Sequence, residues 1–306
     1  MTGRFLLYSM PFMALFMALS VFEPWVQQNL FPNKDISRIK NREFEVIAHK
    51  GASGYAPENT LAAFQMALDM GVDKIALDVR HTKDEQIIVL HDQTLDRTTN
   101  GTGDVHNYTL AEIKELDAGS WFGDAKYAGE KVPTLKEVLD LVNGKAKVLI
   151  EVKHMDHPHY DDFAEKLVNV IRQEENGFEW CIIESYEDKY LEEAHEHAPE
   201  VETKKLLIGE DSAPLIAFYV ETRMHLGRTH EEETTKALSP HYSTLSPRRV
   251  FRMHARGFKV YTYPVNTRED MIMMLGMGVD GIVTDFPDLL IDIRKELEKI
   301  PVEEES

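Results

Sequence analysis

The sequence predicts a (β/α)₈ barrel, a TIM barrel, with a small insertion after its second barrel strand. Short apolar strand patterns alternate with amphipathic helix patterns from residue 43 to about residue 300, which is typical of parallel β/α folds. The 306 residues suit one large barrel or two ordinary domains. Several apolar strands also end in titratable residues, and a barrel gathers its catalytic groups at strand C-termini. These observations favour one domain over residues 43–300, preceded by a separate segment, residues 1–42.

The first strand and helix are predicted on either side of a glycine-containing turn. An apolar, β-branched run from Phe44 to Ala48 predicts the strand, which stops at His49. Two glycines follow, and glycine permits tight turns. An Asn-Thr pair then supplies an N-cap for a helix at Leu61–Met70. We therefore expect His49 at the C-terminal end of the first strand, where a β/α protein places its chemistry.

Three further apolar runs lead into polar residues. Lys74–Val79 predicts a buried strand, Gln86–Leu90 predicts another that ends at His91, and Lys147–Ile150 predicts one that ends at Glu151. Two histidines and two carboxylates at strand ends fit general acid–base chemistry beside a divalent cation.

The remaining elements follow from turn residues and periodicity. Residues 92–134 carry several turn signals and one short helical stretch, which predicts an insertion after the second barrel strand. Further strands are predicted at 180–184, 204–208, 236–239, 259–263 and 281–284, and further helices at 161–173, 186–195, within 212–223, 247–255, 268–275 and 288–299.

The N-terminal segment contains an uncharged apolar stretch, residues 5–22. At about 27 Å of helix its length is marginal for a membrane span. A signal peptide needs a cleavage site, and only Ala18-Leu19-Ser20 offers a weak one. An uncleaved anchor is therefore favoured over a cleaved signal and over a packed or disordered arm. The uncleaved anchor predicts a membrane-anchored domain outside the cytoplasm. The cleaved signal peptide predicts a domain that is secreted after cleavage.

Composition excludes some classes of function. The formal net charge is −19, which argues against sequence-independent nucleic-acid binding, because that needs clustered basic residues. Cys181 is the single cysteine, so no intramolecular disulfide is possible, and it is predicted to be a core residue at the start of a strand.

Eight short strings, in order, carry a resemblance to a known family. The chain resembles the glycerophosphodiester phosphodiesterase family from about residue 44 to residue 298. The strings are His49-Lys50-Gly51, Pro57-Glu58-Asn59-Thr60, Ala76-Leu77-Asp78-Val79, His91-Asp92, Arg97-Thr98-Thr99, Glu151-Val152-Lys153, Val265-Asn266 and the stretch from Gly278 to Pro287. Each string alone is weak evidence, whereas eight in order are strong evidence.

Two departures from the family pattern fall within the strings. Lys50 stands where the family has an arginine, and Ala76 stands where it has its first metal-binding glutamate. A lysine binds phosphate as a point charge, whereas an arginine binds it through two parallel hydrogen bonds.

The resemblance implies a barrel that hydrolyses glycerophosphodiesters to glycerol phosphate and an alcohol. It implies that His49 and His91 are the catalytic acid and base, and that Asp78 and Glu151 hold a divalent cation, Ca²⁺ or Mg²⁺. Substrate binding is expected from Lys50, Lys153 and Tyr263, although Tyr263 suits plain barrel packing equally well. Glu58 is expected to support the loop around His49, with cation binding as its less favoured role.

The expected partners are a small glycerophosphodiester or lipid-derived substrate and, through residues 5–22, a membrane. Because Ala76 removes a carboxylate from the expected cation site, a second interpretation stays open. In it the barrel binds phosphodiesters and turns them over weakly or not at all.

Overall fold

Eight parallel strands form a closed barrel in a computed structural model, which describes residues 36–40, 42–153, 162–206 and 235–300. The strand order around the sheet is β1-β9-β8-β7-β6-β5-β4-β2, and pairing of β1 with β2 closes it. The predicted (β/α)₈ barrel is confirmed. The strands are β1 (Glu45–His49), β2 (Lys74–His81), β3 (Ile87–Val89), β4 (Lys147–Val152), β5 (Cys181–Ser185), β6 (Glu202–Leu206), β7 (Thr235–Ser239), β8 (Lys259–Thr262) and β9 (Gly281–Thr284).

Strand β3 lies outside the barrel and introduces the insertion. It pairs antiparallel with β2, so the chain reverses direction there instead of crossing over through a helix. The following residues bury a small apolar cluster of their own, which makes the insertion a packed unit beside the barrel mouth. That cluster contains Ile88, Leu90, Leu95, Val105, Ile113, Ala118 and Val132.

Helices cover the outside of the barrel, and their starts follow from local sequence. The hydroxyl of Thr60 accepts a hydrogen bond from the Ala63 amide and so caps the first helix. The α-helices are α1 (Leu61–Met70), α2 (Leu110–Glu115), α3 (Leu135–Val142), α4 (Phe163–Ile171), α5 (Gly177–Trp180), α6 (Asp188–His197), α7 (Pro247–Ala255), α8 (Arg268–Met277) and α9 (Pro287–Glu298). Short 3₁₀ turns lie at Ile36–Ile39, Val105–Asn107, Ser120–Phe122, Ala125–Tyr127 and Tyr242–Thr244.

Two apolar cores lie on opposite faces of the barrel wall. The larger core fills the space between strands and helices, and Cys181 is fully buried in it. The smaller core fills the barrel interior below the mouth. It consists of Ile47, Ala76, Leu149, Ile182, Ala237, Tyr261 and Val283, with Tyr263 packed against it.

Most predicted elements lie where the sequence placed them. The helices at Leu61–Met70 and Pro247–Ala255 have the predicted bounds, whereas the strand expected at 204–208 lies at Glu202–Leu206. The apolar segment at 5–22 and the helix expected within 212–223 fall outside the described residues. In the portion that the structure describes, no helix has both the length and the apolar character needed to cross a bilayer.

Candidate active site

A cavity of about 200 Å³ opens at the C-terminal ends of the barrel strands. Seven of the eight residues that the sequence singled out line it; the eighth, Glu58, lines an adjoining recess. The structure thus brings together side chains from seven strands and from the loops that follow β1, β3, β4, β5 and β8. The residues lining the cavity are His49, Lys50, Ala76, Leu77, Asp78, His91, Glu151, Lys153, Glu184, Tyr186, Lys204, Leu206, Ser239, Tyr263, Pro264 and Val283.

A left-handed turn after β1 positions His49 and Lys50 at the mouth. Lys50 has a φ of 57° and Gly51 a φ of 83°, so the chain bends sharply as it leaves the strand. A Cβ at Gly51 would lie 2.6 Å from the carbonyl carbon of Ala63 in α1, which only glycine avoids. The glycine therefore lets the turn pack directly on the first helix while the two side chains before it reach the cavity.

His49 is oriented by Asp285, the residue that follows β9. The His49 Nδ1 lies 2.6 Å from the Asp285 Oδ1, and Ser53 and Asn266 also donate hydrogen bonds to that carboxylate. Burial alone would raise the pKa of Asp285, but these donors, His49 first among them, outweigh it and hold the pKa at about 2. An ionised carboxylate only accepts hydrogen bonds, so the proton of neutral His49 sits on Nδ1 and its Nε2 is the basic nitrogen.

His91 is oriented in the same way by its neighbour in the chain. Its Nδ1 lies 2.6 Å from the Asp92 Oδ1, and Arg97 donates to both oxygens of that carboxylate. Arg97 also donates two hydrogen bonds to Glu58, which accepts a third from Lys50. These contacts form a continuous chain of charged groups from the second histidine to the first turn.

Glu58 is therefore a bridge between the insertion and the turn after β1. Burial alone would raise the pKa of Glu58, but Arg97 and Lys50 outweigh it and lower that pKa. Its contacts agree with the expected supporting role, whereas cation binding by Glu58 has no geometric support among the described residues, since both of its oxygens already accept from cationic side chains.

Asp78 and Glu151 lie side by side on β2 and β4, and one lysine bridges them. They are register partners, and Lys153 Nζ lies 3.0 Å from the Asp78 Oδ1 and 2.5 Å from the Glu151 Oε1. The other oxygen of Asp78 accepts from Asn59. Burial and the neighbouring Asp78 charge raise the pKa of Glu151, whereas Lys153 is the main cause that lowers the pKa of Asp78 against its burial.

These side chains do not form the three-carboxylate cation site that the family pattern implies. Position 76 faces the cavity with a methyl group, and Lys153 already bridges the carboxylates of Asp78 and Glu151. Within the described residues, no three His, Cys, Asp or Glu side chains are grouped so that they could hold a metal ion. Asp78 and Glu151 are the two expected ligands that remain, and two carboxylates are few for Ca²⁺ or Mg²⁺, which bind several oxygen ligands.

Two charged residues that the sequence did not single out continue the row across β5 and β6. Glu184 is the register partner of Glu151, and Lys204 is the register partner of Glu184. Both are almost completely buried, and they form an ion pair with each other. Neither belongs to a recognisable string, and their proximity follows from the pairing of β5 with β6.

The sequence also did not single out Asp92 and Asp285, the carboxylates that orient the two histidines, although both lie within strings that match the family pattern. Asp92 follows His91 directly, and Asp285 follows the last strand. For Asp92 the available signal was its position directly after a strand-end histidine, whereas Asp285 meets His49 across 236 residues of sequence and carried no such local signal. Tyr263, which the sequence did single out, touches the hydroxyl of Tyr186 at the cavity wall and packs edge-on against His241.

Comparison with known proteins gives one consistent result. The profile of the Glycerophosphoryl diester phosphodiesterase family matches residues 49–289. A glycerophosphodiester phosphodiesterase of Caldanaerobacter subterraneus is 40% identical over 249 residues, covering 81% of this chain and 96% of that protein. A glycerophosphodiester phosphodiesterase of Bacillus subtilis is 37% identical over 263 residues, covering 81% and 86%.

Solved structures agree with the sequence comparisons. A phosphodiesterase of Oleispira antarctica, determined in complex with the product sn-glycerol-3-phosphate, superposes with a TM-score of 0.70 at 28% identity, covering 82% of this chain and 96% of that one. The resemblance seen in the sequence strings is confirmed: the chain belongs to the glycerophosphoryl diester phosphodiesterase family.

Proposed function

We propose that the protein hydrolyses glycerophosphodiesters to glycerol phosphate and an alcohol, with His49 and His91 transferring the protons. The observation that carries the proposal is the pair of histidines. Each has its Nδ1 on a carboxylate, and both line one cavity with Lys50 and Lys153. Family membership supports the reaction class.

The chemistry needs one proton acceptor and one proton donor. A water molecule forms a bond to phosphorus as it loses a proton to one imidazole, and the bond from phosphorus to the alcohol oxygen breaks as the other imidazole gives that oxygen a proton. Burial and the nearby Lys153 and Lys50 charges lower the pKa of His91, against the opposing effect of Asp78. A neutral His91 suits the acceptor role, which leaves His49 as the donor.

The lysines bind the phosphodiester and its developing charge. Lys50 and Lys153 lie on different sides of Asp78 in the cavity, and each is already held by a carboxylate. Fixed cationic groups stabilise charge that grows on phosphate oxygens in the transition state. The glycerol phosphate in the Oleispira antarctica relative supports a glycerol phosphodiester as substrate. Tyr263 would contact the polyol or the leaving alcohol.

The direct test is release of choline and sn-glycerol 3-phosphate from glycerophosphocholine, followed with and without added Ca²⁺, Mg²⁺ or Mn²⁺. The double variant His49→Ala/His91→Ala is the matched blank. We expect turnover by the natural protein and none by the variant. Equal rates for both would overturn the proposal.

Ala76 supports a second candidate function, because the family pattern has a carboxylate at this position and this chain does not. The barrel would then bind phosphodiesters without turning them over. Calorimetry with glycerophosphocholine distinguishes the two proposals. Binding with no choline release under any of the cation conditions would support the second function, and release would exclude it.

We further propose that residues 5–22 anchor the domain to a membrane with the barrel outside the cytoplasm. The support is the uncharged run between Arg4 and Glu23, which lacks a good cleavage site. We expect the full-length protein to sediment with membranes. A mature N-terminus near Val21, found by mass spectrometry, would establish a cleaved signal instead.

A further inference from the structure

We propose that Lys204 and Ser239 form a buried anion site at the floor of the cavity, which binds a phosphate oxygen without a divalent cation. The inference deepens the proposed function and rests on it for the identity of the ligand, a phosphate ester. The positive charge in question is the Lys204 ammonium. It lies in a cavity where, among the described residues, the carboxylates do not group into a metal site.

Charged side chains form one continuous row across four barrel strands. Register pairs join Asp78 to Glu151, Glu151 to Glu184, and Glu184 to Lys204, so one row on four adjacent strands carries three acids and then a lysine. All four side chains line the cavity. The row therefore places a positive charge inside the barrel, across from the two carboxylates expected to hold a cation.

The positive charge of that row is buried. Lys204 is 2% exposed, and its ammonium lies 5.0 Å from the centre of the Tyr261 ring. A buried ammonium is costly unless it is paired, and the carboxylate of Glu184 pairs with it. The opposite charges hold each other in the barrel, so the site exists before a ligand arrives.

The hydrogen-bond donors of Lys204 and Ser239 lack acceptors among the described residues. Among the described residues, the Lys204 ammonium has one carboxylate partner and makes no hydrogen bond of good geometry, although it carries three protons. The hydroxyl of Ser239, 1% exposed and lining the same cavity, has no hydrogen-bond partner within the described part of the chain. Buried polar groups normally find partners, so these donors indicate an absent acceptor.

Neighbouring lysines show that this arrangement is not general in the barrel. Lys205 faces the other side of the strand, where it donates to the Tyr186 carbonyl oxygen and contacts Asp188. Lys74 also lies over the Tyr261 ring, but it pairs with Glu45, donates to the Tyr261 hydroxyl, and is not among the residues lining the cavity.

Ala76 supplies the complementary half of the arrangement. A carboxylate there would add a negative charge to a cavity that already holds Asp78, Glu151 and Glu184. With a methyl group at 76, the cavity lining holds three acids and the three lysines Lys50, Lys153 and Lys204, and the raised pKa of Glu151 lowers the negative charge further. An incoming phosphodiester adds one negative charge, which a cavity of balanced charge accepts more readily than a strongly acidic one.

The test is calorimetric binding of sn-glycerol 3-phosphate to the full-length protein in excess EDTA. Glu184→Gln serves as the reference, because it removes the carboxylate that competes for Lys204. We expect it to bind the ligand at least as tightly as the natural protein does. Adding Lys204→Met to that variant removes both charges of the pair, so no unpaired charge stays buried, and we expect the affinity to fall at least about tenfold.

Matched variants separate a site effect from a stability effect. Lys74→Met removes a buried lysine beside the same ring but outside the cavity, and we expect unchanged affinity. Ser239→Ala should weaken binding by a few-fold. Weaker binding by Glu184→Gln would overturn the idea that Glu184 competes with the ligand for Lys204, and equal affinities with and without Lys204 would overturn the anion site. No binding in EDTA by any variant would also overturn it.

The inference and the proposed function fail in different ways. Choline release together with ligand binding that strictly requires a divalent cation would leave the function standing and reject the anion site. Lys204-dependent binding in EDTA without choline release under any cation condition would reject the function and retain the site.

Discussion

The two halves of the cavity are built by different means. Around β9, β1 and the loop after β3, His49 and His91 each take a carboxylate from a loop beside them, Asp285 and Asp92 respectively. We term this the histidine side. Along β2, β4, β5 and β6, the charged groups stand on the strands themselves and meet through strand register. We term Asp78, Glu151, Glu184 and Lys204 the charge row.

This difference separates proton transfer from electrostatics. In the proposed reaction the histidine side would govern proton transfer, because a carboxylate fixes the Nδ1 of each histidine. The charge row would govern what the cavity binds, because it fixes the sign and distribution of charge along β2, β4, β5 and β6. Substitutions on the first side should change turnover most, and those in the second should change affinity and cation response.

The largest effect is expected from removing either histidine. His49→Ala and His91→Ala should each lower kcat by on the order of 10²–10⁴-fold, because each loss removes one proton-transfer group. The thermal midpoint should change little, since both side chains are only half-buried at the mouth. Steady-state hydrolysis of glycerophosphocholine, alongside thermal unfolding, measures both quantities. An active His91→Ala protein would contradict the division between the two sides.

The next effect should distinguish the two orienting carboxylates. In Asp285→Asn the new amide must face either His49 or Asn266, both of which donate, and Asn266 cannot turn because its own oxygen accepts from the residue 285 amide. We expect kcat/KM to fall on the order of 10²-fold, as the tautomer of His49 is no longer fixed.

Asp92→Asn should cost less, about tenfold, because Arg97 is 44% exposed and can move away from the new amide. Kinetics of both variants on one substrate make the comparison. A larger loss for Asp92→Asn than for Asp285→Asn would show that the second histidine depends more on its partner than the geometry indicates.

The same division explains what the sequence could predict. His49 and His91 stand at strand ends inside short strings, and the glycine turn, Thr60 cap and apolar strand runs are local features, so the fold and the histidines could be inferred without a structure. Glu184 and Lys204 are 20 residues apart in the sequence, with a helix between them. Their pairing depends on the register between β5 and β6, which no local pattern encodes.

Beside the charge row, Ala76→Glu should make the cavity bind a divalent cation more tightly and an anion more weakly. Residues two apart on a strand share a face, and positions 76 and 78 both line the cavity, so the new carboxylate would join Asp78 and Glu151. We expect the Ca²⁺ or Mg²⁺ concentration for half-maximal activity to fall at least roughly tenfold, which corresponds to about 1.4 kcal/mol.

The same substitution should weaken binding of sn-glycerol 3-phosphate in EDTA, since it adds a negative charge to the cavity. Calorimetric titrations with cation and with ligand measure the two effects separately. Tight cation binding by the natural chain, with no gain from Ala76→Glu, would mean that some other group completes a cation site.

The smallest effect tests whether the fixed charge of Lys50 helps to set the pKa of His91. The pKa of His91 is lowered by burial and by the charges of Lys153 and Lys50, with Asp78 acting in the opposite direction. Replacing Lys50 with glutamine removes one of the charges that lower it, so the pKa of His91 should rise. If His91 accepts the proton, it must be neutral to act, and the acid limb of kcat/KM should move to higher pH.

Lys145→Gln, a surface change far from the cavity, should leave the limb in place. A shift of the alkaline limb instead would exchange the roles of the two histidines, and no shift in either limb would mean that the charges under the phosphate do not reach the proton-transfer groups.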